Sequence, residues 1–337
     1  MNFGISRDYG TSVLVSKVNS YDLGFLSLGL SIIGRGSSFS VSAIPTASRQ
    51  GHFADDQLDV VAFKQTVPGT RSENADSKKR RIRDIMLELR VLCHDPIRKH
   101  ENVVKLLGIA WETDPFSRYR RWPFLVLERA SHGTLAEYLQ TLQSLSSKEK
   151  INLSLDTLYG LEILHLCHIF HGDLKLENVL IFSNEDQQDD RPVIAKLADF
   201  GGALHDVQTQ AYLTTPTKFW AAPEAQRAMD IEQLPKSDVY ALGFLIWRIF
   251  AHGRHPFLDG DAEIDETARI TAESCAEALK LDDARILGHL MSLNDLCLPN
   301  EKPVLQCILE HTVRAGSSSR NLREAKGILE AESTNSR

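Results

Sequence analysis

The stretch HGDLKLEN at residues 171–178 decides how this chain is interpreted. It spaces an aspartate (Asp173), a lysine (Lys175) and an asparagine (Asn178) at offsets that suit phosphoryl transfer. A second motif, DFG at residues 199–201, begins 21 positions after Asn178. Together the two motifs can supply a base, a phosphate contact and two metal-binding side chains. Such a window arises by chance about once in a few million, so coincidence explains it poorly.

The composition is ordinary for a soluble globular protein, with 42% hydrophobic and 25% charged residues. A length of 337 residues accommodates one large domain or two smaller ones with a sizeable core. Lys and Arg number 38 against 45 Asp and Glu, which gives a formal net charge of −7. This excess of acid argues against a nucleic-acid partner and against an anionic membrane as a partner.

The cysteines and the N-terminus predict where the protein resides. Five cysteines, with no C-x-x-C pair, argue against a disulfide framework or a zinc site and favour a reducing compartment. Arg7, Asp8 and the lack of an early apolar core do not resemble a secretory signal. We therefore expect a cytoplasmic protein. The basic run KKRR at residues 78–81 leaves the nucleus as an alternative, although a solvated helix start explains it more simply.

The first part of the chain has the pattern of a sheet with one long helix. Short β-rich runs predict strands over residues 28–33, 39–44, 60–64, 103–111 and 124–127. From Lys78 the apolar residues recur at three- and four-residue spacing, which predicts an amphipathic helix. The members of this apolar stripe are Ile82, Ile85, Met86, Leu89 and Leu92.

The second part of the chain has a mainly helical pattern. Thr134 with Glu137, and Ser146 with Glu149, have the spacing of capping boxes that open two helices. Ser237 is predicted to cap a third helix, whose residues are apolar nearly all round and therefore buried.

Two acid-rich segments interrupt this pattern. The segment 183–190 is interpreted as the solvated tip of a hairpin. The segment 259–303 is acidic and helical in pattern, and no motif accounts for it.

In this order the motifs resemble those of a eukaryotic protein kinase of the serine/threonine type, over about residues 28–329. The resemblance implies an α+β, two-lobed fold with a β-rich N-lobe, a mainly helical C-lobe and ATP in the cleft between them. It also implies an N-terminal extension at 1–26, an N-lobe with hinge at 27–130, a C-lobe at 131–329 and a flexible tail at 330–337.

The glycine-rich segment resembles the family's loop over the ATP phosphates. Gly34 and Gly36, followed by Val41, fit that pattern, since glycine lets backbone N–H groups approach phosphate oxygens. A plain hairpin also needs glycines, so that alternative stays open. The third glycine of the pattern falls on Phe39 and its usual aromatic residue on Ser38. We therefore expect a stiffer loop and a lower affinity for ATP.

The run VAFK at residues 61–64 resembles the strand whose lysine contacts the α- and β-phosphates. The resemblance makes Glu88 the partner of Lys64, although each could also be an ordinary solvated surface residue. The backbone from Glu128 to Ala130, after Leu127, is implied to bind adenine. The residues implied to surround ATP are Ile33, Gly34, Gly36, Val41, Ala62, Lys64, Glu128, Ala130 and Leu180.

The resemblance gives the two central motifs their roles. Asp173 is implied to be the catalytic aspartate that accepts the proton of the substrate hydroxyl, and Lys175 to lie near the γ-phosphate. Asn178 and Asp199 are implied to hold Mg²⁺, which prefers hard oxygen ligands. Lys64 and Glu88 complete the catalytic set. Each of these residues alone could instead be a loop-capping group.

Two further matches concern specificity, and one departure from the family pattern concerns regulation. Thr217 matches the threonine that bonds the catalytic aspartate and lysine in serine/threonine kinases, and Lys175 indicates the same class. Gly172 replaces an arginine that normally pairs with a phosphate on the activation segment. This replacement is the basis of the hypothesis that the protein does not depend strongly on phosphorylation at Tyr212, Thr214 or Thr215.

Three residues match structural positions of the family. Asp238 matches a buried aspartate that holds the catalytic loop, although a first-turn acid favoured by the helix dipole is an equal alternative. Glu224, in the APE motif at 222–224, is expected to pair with an arginine near the C-terminus, for which Arg320 is the candidate.

The favoured function is therefore an ATP- and Mg²⁺-dependent protein kinase whose partners are a protein substrate and ATP, with neither nucleic acid nor membrane. The main alternative is a pseudokinase that binds or scaffolds without phosphotransfer, as Phe39 and Gly172 suggest. A nicotinamide enzyme is a poor third reading, because the glycines precede a strand and a dinucleotide fold places them before a helix.

Overall fold

The computed structural model describes residues 19–22, 31–35, 39–43, 61–66, 75–113, 121–184, 191–213, 217–258, 266–292 and 297–335. The strands within these residues are β1 (Asn19–Asp22), β2 (Ser31–Arg35), β3 (Phe39–Ala43), β4 (Val61–Thr66), β5 (Leu106–Thr113), β6 (Arg121–Glu128), β7 (Val179–Ser183), β8 (Val193–Leu197), β9 (Gln210–Ala211) and β10 (Met229–Asp230). The helices are α1 (Ala75–Leu92), α2 (Asp95–Arg98), α3 (Leu135–Thr141), α4 (Ser147–Leu166), α5 (Leu234–Phe250), α6 (Glu266–Lys280), α7 (Asp283–Ser292), α8 (Lys302–Thr312) and α9 (Leu322–Asn335).

The chain forms two compact units, residues 1–131 and residues 132–337. The first unit contains a six-stranded sheet with the strand order β1-β5-β6-β4-β3-β2. Strands β2 to β6 pair antiparallel, whereas β1 runs parallel to β5. Because β1 falls within residues 1–26, part of the segment expected to be an N-terminal extension belongs to this sheet.

The register of the sheet aligns four predicted nucleotide-binding residues on β2, β3 and β4. Val41 of β3 lies directly opposite Lys64 of β4. Side chains alternate between the two faces of a strand, so Ala62 shares the face of Lys64. Gly34 of β2 pairs with Val41, next to an irregularity between Ile32 and Gly34. The strand pairing alone thus aligns Gly34, Val41, Ala62 and Lys64.

The second unit is mainly helical, and both predicted capping boxes are confirmed. Thr134 and Glu137 open α3, and Ser146 and Glu149 open α4, each with reciprocal side-chain and backbone hydrogen bonds. A capping box satisfies N–H groups that a helix start leaves without an intrahelical partner. The acidic segment predicted as a hairpin tip connects the antiparallel strands β7 and β8, and its residues 185–190 lie outside the described ones.

Helix α5 is the buried centre of the second unit, but its start differs from the prediction. The helix begins at Leu234 and carries a proline in its first turn, where the missing N–H causes no loss. Ser237 lies inside the helix, and its backbone N–H donates to the carbonyl of Gln233 (2.9 Å). The prediction that Ser237 caps the helix was therefore wrong, because the helix begins one turn before its continuous apolar run.

Two later regions complete the second unit. The acidic segment 259–303 contributes α6 and α7 and the start of α8, in agreement with its helical pattern. Helix α9 continues to Asn335 and so includes most of the segment 330–337 that was expected to be a flexible tail. The hydroxyl of Tyr159 on α4 donates to the Glu330 carboxylate (3.0 Å), which ties this last part of the helix to the unit. Of the helices in the described ranges, none has the length and apolarity needed to cross a bilayer.

Candidate active site

The predicted Lys64–Glu88 pair is present in the first unit. The Lys64 Nζ donates to both carboxylate oxygens of Glu88, at 2.9 and 2.8 Å. Both side chains are buried, and Glu88 is fully so. Strand β4 holds the lysine, and the buried face of α1 holds the glutamate because Glu88 adjoins the apolar Ile85 and Leu89. The alternative of two solvated surface residues is excluded, whereas the catalytic roles stay predictions.

Phe39 has a contact that the sequence did not predict. The Lys64 Nζ lies 4.4 Å from the centroid of the Phe39 ring, within the range of a cation–π interaction. Phe39 is itself buried, at the start of β3. The residue at the family's third glycine position therefore contacts the predicted phosphate-binding lysine. Gly36 and Ser38 lie outside the described residues.

The remaining predicted nucleotide-binding residues have mixed exposure. Ile33 on β2 is exposed, whereas Ala62 on β4 is buried. The backbone N–H of Glu128 donates to the carbonyl of Lys105 (3.1 Å), and the Glu128 carboxylate accepts from the Lys105 N–H (2.8 Å). Ala130 and, in the second unit, Leu180 are half-buried. Contacts from any of these residues to adenine stay predictions.

In the second unit, Asp238 binds the backbone of the loop that leads into Asp173. Its carboxylate accepts hydrogen bonds from the N–H groups of His171 (2.8 Å) and Gly172 (2.9 Å), and its Oδ2 lies 3.0 Å from His165 Nε2. Asp238 is buried on α5, beyond the first turn of the helix. The alternative of a first-turn acid on the helix dipole is therefore excluded.

Opposing effects act on the Asp238 carboxyl. Burial tends to raise its pKa, but the hydrogen bond and charge of His165 and the N–H of Gly172 favour the ionised form more strongly. The pKa of Asp238 therefore lies below its usual value. Sequence analysis missed His165, whose role has no motif, although its place at the end of a helix six residues before His171 is a weak signal.

Two of the predicted catalytic residues, Asp173 and Lys175, are hydrogen-bonded to each other in the second unit. The Lys175 Nζ donates to Asp173 Oδ2 (2.6 Å), and the Thr217 hydroxyl donates to Asp173 Oδ1 (2.7 Å). Lys175 also reaches the Thr217 hydroxyl oxygen (3.4 Å). The Asn178 side-chain amide donates to the backbone carbonyl of Asp173 (2.7 Å). Each carboxylate oxygen of Asp173 thus has a fixed donor, which sets the orientation of the side chain.

The two predicted metal ligands lie at one end of the β7–β8 hairpin. Val179 pairs with Leu197, and the N–H of Ala198 donates to the carbonyl of Asn178 (2.9 Å). This register puts Asn178 and Asp199 at the same end of the two strands. Asp199 has a φ of +63°, a conformation that is uncommon for residues with a side chain and that clusters at functional sites.

The donor set of this pair suits a magnesium ion. A carbonyl can only accept a hydrogen bond, so the contact with the Asp173 carbonyl identifies the amide nitrogen of Asn178 and puts its oxygen on the opposite side. That amide oxygen and the Asp199 carboxylate are hard ligands of the type that Mg²⁺ prefers. The described residues contain no group of three or more His, Cys, Asp or Glu side chains arranged for a metal. Asn178 and Asp199 are only two residues, and one of them is an amide, so they do not form a group of that kind.

Gly172 occupies a position whose backbone conformation favours glycine. Its φ is +75°, and an added Cβ would lie 3.1 Å from Leu213 Cδ2 and 3.2 Å from the Gly202 carbonyl oxygen. An arginine here would be strained unless the loop moved. Leu213 also packs, with Leu204, Val207 and Ala211, against a buried apolar cluster of Phe170, Met229 and Leu234.

The predicted Glu224–Arg320 pair is present. The guanidinium donates to both oxygens of the Glu224 carboxylate, with Nη2 at 3.0 Å from Oε2. Arg320 is fully buried, and it also donates to the backbone carbonyls of Arg314, Ala315 and Lys236. The guanidinium lies 4.6 Å from the Tyr240 ring centroid. The irregular segment before Arg320 therefore does not prevent the pairing.

The comparisons with known proteins agree with this geometry. The model of the protein kinase domain family matches residues 30–304. The megakaryocyte-associated tyrosine-protein kinase of Mus musculus is 30% identical over 161 residues, which are 47% of this chain and 28% of that protein. The protein of that name in Rattus norvegicus is 29% identical over 161 residues, 47% of this chain and 31% of the relative. The match thus spans under a third of either relative. The predicted two-lobed α+β fold class is confirmed, and this chain belongs to the protein kinase domain family.

Proposed function

We propose that this protein transfers the γ-phosphoryl group of ATP to a serine or threonine hydroxyl of a protein substrate. The observation that carries the proposal is the hydrogen-bonded group around Asp173, with Lys175 at 2.6 Å and Thr217 at 2.7 Å. If Asp173 only capped the loop, its carboxylate would need fewer fixed hydrogen-bond donors and no lysine partner. The buried Lys64–Glu88 pair supports the same function, because it holds an ammonium group in one place.

Each of these residues has a part in the transfer. Asp173 orients the substrate hydroxyl and accepts its proton as the oxygen attacks the γ-phosphorus. Lys175 neutralises charge on the γ-phosphoryl oxygens, and Lys64, held by Glu88, binds the α- and β-phosphates. Asp238 contributes indirectly, since it fixes the backbone on which Asp173 stands. The rate enhancement comes from positioning and fixed charge.

Asn178 and Asp199 would hold the divalent metal. When bound, Mg²⁺ lowers the repulsion between the phosphates and the attacking oxygen. The amide oxygen of Asn178 is directed by the hydrogen bond of its nitrogen to Asp173, so the loop itself prepares this ligand. The left-handed backbone conformation of Asp199 changes the direction of the chain after β8 and thereby helps to position the Asp199 carboxylate.

Serine/threonine specificity is the finer part of the proposal. Thr217 and Lys175 both bond the Asp173 carboxylate and lie 3.4 Å apart, so they enclose it from two sides. A serine or threonine of the substrate has a short side chain, so its hydroxyl reaches such a site only when the substrate backbone lies close by. The relatives reported above carry the name of tyrosine kinases, which makes tyrosine the competing acceptor.

The experiment incubates the purified protein with radiolabelled ATP and a mixed library of serine, threonine and tyrosine peptides. We expect Mg²⁺-dependent label in phosphoserine and phosphothreonine. Label in phosphotyrosine alone would overturn the specificity and leave the kinase proposal standing. No transfer in Mg²⁺ or Mn²⁺, with nucleotide binding retained, would favour the pseudokinase alternative, for which Phe39 against Lys64 is the specific observation.

The apolar contacts around Gly172 support the hypothesis that activation does not depend on phosphorylation. Leu213 packs where a side chain at position 172 would extend, and the cluster of Phe170, Met229 and Leu234 anchors this segment without a phosphate. Tyr212 is exposed, and Thr214 and Thr215 lie outside the described residues. Replacing all three with non-phosphorylatable residues should leave most of the activity, and a loss comparable to that of an Asp173 variant would contradict the hypothesis.

A further inference from the structure

The ammonium group of Lys64 has two kinds of neighbour in the first unit. Its Nζ donates to both carboxylate oxygens of Glu88, at 2.9 and 2.8 Å. In addition, the centroid of the Phe39 ring lies 4.4 Å from Nζ. The lysine side chain is only 6% exposed, and Phe39 is buried. Lys64 therefore presents little of its ammonium group to an incoming ligand.

The register of the strands explains why the ring reaches the lysine. Val41 pairs with Lys64, and Phe39 pairs with Thr66, two positions away along each strand. Because side chains alternate between the two faces of a strand, Phe39 shares the face of Val41 and Lys64 and is a diagonal neighbour of the lysine. Val41 and Ala62, on this same face, are predicted to surround ATP. The Phe39 ring thus lies on the face of the sheet that is predicted to bind the nucleotide.

The backbone that carries the ring is held by contacts on the opposite face of the sheet. Ser40 directly follows Phe39 and pairs with Gln65, which directly follows Lys64. The Gln65 side-chain amide donates to the Ser40 hydroxyl (3.0 Å), and Ser40 is buried. These contacts hold β3 against β4 at the position of the ring. To uncover Lys64, the Phe39 side chain therefore has to rotate into another rotamer.

The contact of Phe39 with Lys64 is attractive as well as steric. The face of an aromatic ring attracts a cation electrostatically, and the attraction is stronger where water is excluded. Both residues are buried, which is the condition that strengthens it. A phosphate oxygen forms a charge-assisted hydrogen bond with an ammonium group at about 2.7–2.9 Å. A phosphate that binds Lys64 must therefore replace the attraction of the ring and also occupy space next to Nζ.

We propose that Phe39 is an affinity-determining residue: its ring covers Lys64 and has to rotate away before the phosphates of ATP bind this lysine. The proposal rests on the function proposed above, in which Lys64 binds the α- and β-phosphates. It adds a restraint that is built into this chain, because the ring competes with the phosphates for one ammonium group. Adenosine has no phosphate, so the restraint acts on the binding of ATP and not on the binding of adenosine.

Competition by the ring differs from the loop stiffness that the missing glycine predicts. Stiffness arises from the backbone, so leucine at position 39 would retain it as fully as phenylalanine does. Competition arises from the ring, so leucine would relieve it. Leucine has no aromatic face to attract the ammonium group of Lys64, and it is smaller than phenylalanine. The variant Phe39→Leu therefore distinguishes the two effects.

The test measures the Kd for ATP with Mg²⁺ and the Kd for adenosine by calorimetry, on the full chain of wild type and of Phe39→Leu. We expect the Kd for ATP to fall by about 2- to 30-fold in the variant. This range corresponds to the loss of a competing cation–π contact of about 0.5–2 kcal/mol. The Kd for adenosine should change by less than about twofold.

Phe63→Leu is the matched control, because it makes the same substitution at another buried phenylalanine of the sheet. Phe63 directly precedes Lys64 on β4, so its side chain belongs to the opposite face. This control should leave the ratio of the two Kd values unchanged. Phe39→Met is a second variant, whose flexible side chain fills the space without a ring. It should lower the Kd for ATP in the same direction, so a folding defect of Phe39→Leu would not decide the test.

Binding is measured without phosphoryl transfer, so this proposal and the kinase proposal fail separately. An unchanged Kd for ATP in the folded variants would overturn the role of Phe39, even if wild type is an active kinase. Equal changes for ATP and adenosine would also overturn it, because they would indicate a general effect on the site. If wild type transfers no phosphoryl group but loss of the ring tightens ATP binding alone, the kinase function fails and the role of Phe39 is supported. Absence of ATP binding in wild type and in both variants would overturn both proposals.

Discussion

Each compact unit contributes one lysine–carboxylate pair to the predicted catalytic set, and the two pairs differ in exposure. In the first unit, Lys64 and Glu88 are 24 positions apart, and their side chains are 6% and 0% exposed. In the second unit, Lys175 and Asp173 are two positions apart, and their side chains are 24% and 19% exposed. Glu88 bonds the lysine with both oxygens, whereas Asp173 divides its oxygens between Lys175 and Thr217.

This difference agrees with the roles proposed above, in which Glu88 positions a lysine and Asp173 accepts a proton. A carboxylate without solvent exposure, such as that of Glu88, cannot meet a substrate, so it can act only through its lysine. The Asp173 carboxylate retains an open side and has donors that fix its orientation. A buried pair also depends more on both partners, since loss of one leaves an uncompensated charge. The comparison therefore predicts that breaking the first pair lowers stability more than breaking the second.

The largest expected effect comes from breaking the two pairs with the same substitution. Lys64→Met leaves the Glu88 charge buried and should lower the free energy of unfolding by about 3–5 kcal/mol. Lys175→Met removes a partly exposed partner and should lower it by less than about 1 kcal/mol. Chemical denaturation of both variants measures the two values. Equal losses would contradict the distinction between the pairs.

The second prediction concerns Asp238, which supports the Asp173 loop. Asp238→Asn keeps the shape but removes the charge, and its bonds to the N–H groups of His171 and Gly172 should weaken by about 2–3 kcal/mol in total. The pKa of Asp238 is lowered in the folded state, so its contribution is present above the unfolded carboxyl pKa and is lost as pH falls through the folded pKa. We therefore expect the stability difference between wild type and Asp238→Asn to shrink below about pH 4. A constant difference across denaturation curves from pH 3 to pH 7 would rule this out.

The smallest expected effect tests the contact between Phe39 and Lys64. Phe39→Leu keeps an apolar side chain but removes the ring, and the coupling between the two residues should be about 0.5–2 kcal/mol. A double-mutant cycle with Lys64→Met measures that coupling directly. Additive losses in the two single variants would show that the ring does not support the lysine.

The sequence was sufficient for the parts of the fold that local spacing determines. Both capping boxes were predicted because their partners are three residues apart. The pairs Lys64–Glu88 and Glu224–Arg320 were predicted through the family resemblance, although 24 and 96 positions separate their partners. In those cases a known motif supplied the long-range information.

The rest required the three-dimensional arrangement. His165 belongs to no motif, and only the packing of α4 beside α5 brings its ring to Asp238. The contact of Phe39 with Lys64 depends on the register of β3 with β4. The predicted start of α5 was wrong because it followed the apolar pattern. The proline in the first turn marks the actual start.

The most direct test of the account is the Asp173→Asn variant, assayed for Mg²⁺-dependent phosphotransfer beside wild type, with nucleotide binding measured in the same preparations. Asparagine preserves the size of the side chain but cannot accept the hydroxyl proton as a base. We predict that turnover falls by about 10²–10⁴ while the Kd for ATP is unchanged. Phosphotransfer at the wild-type rate by Asp173→Asn would contradict the central claim.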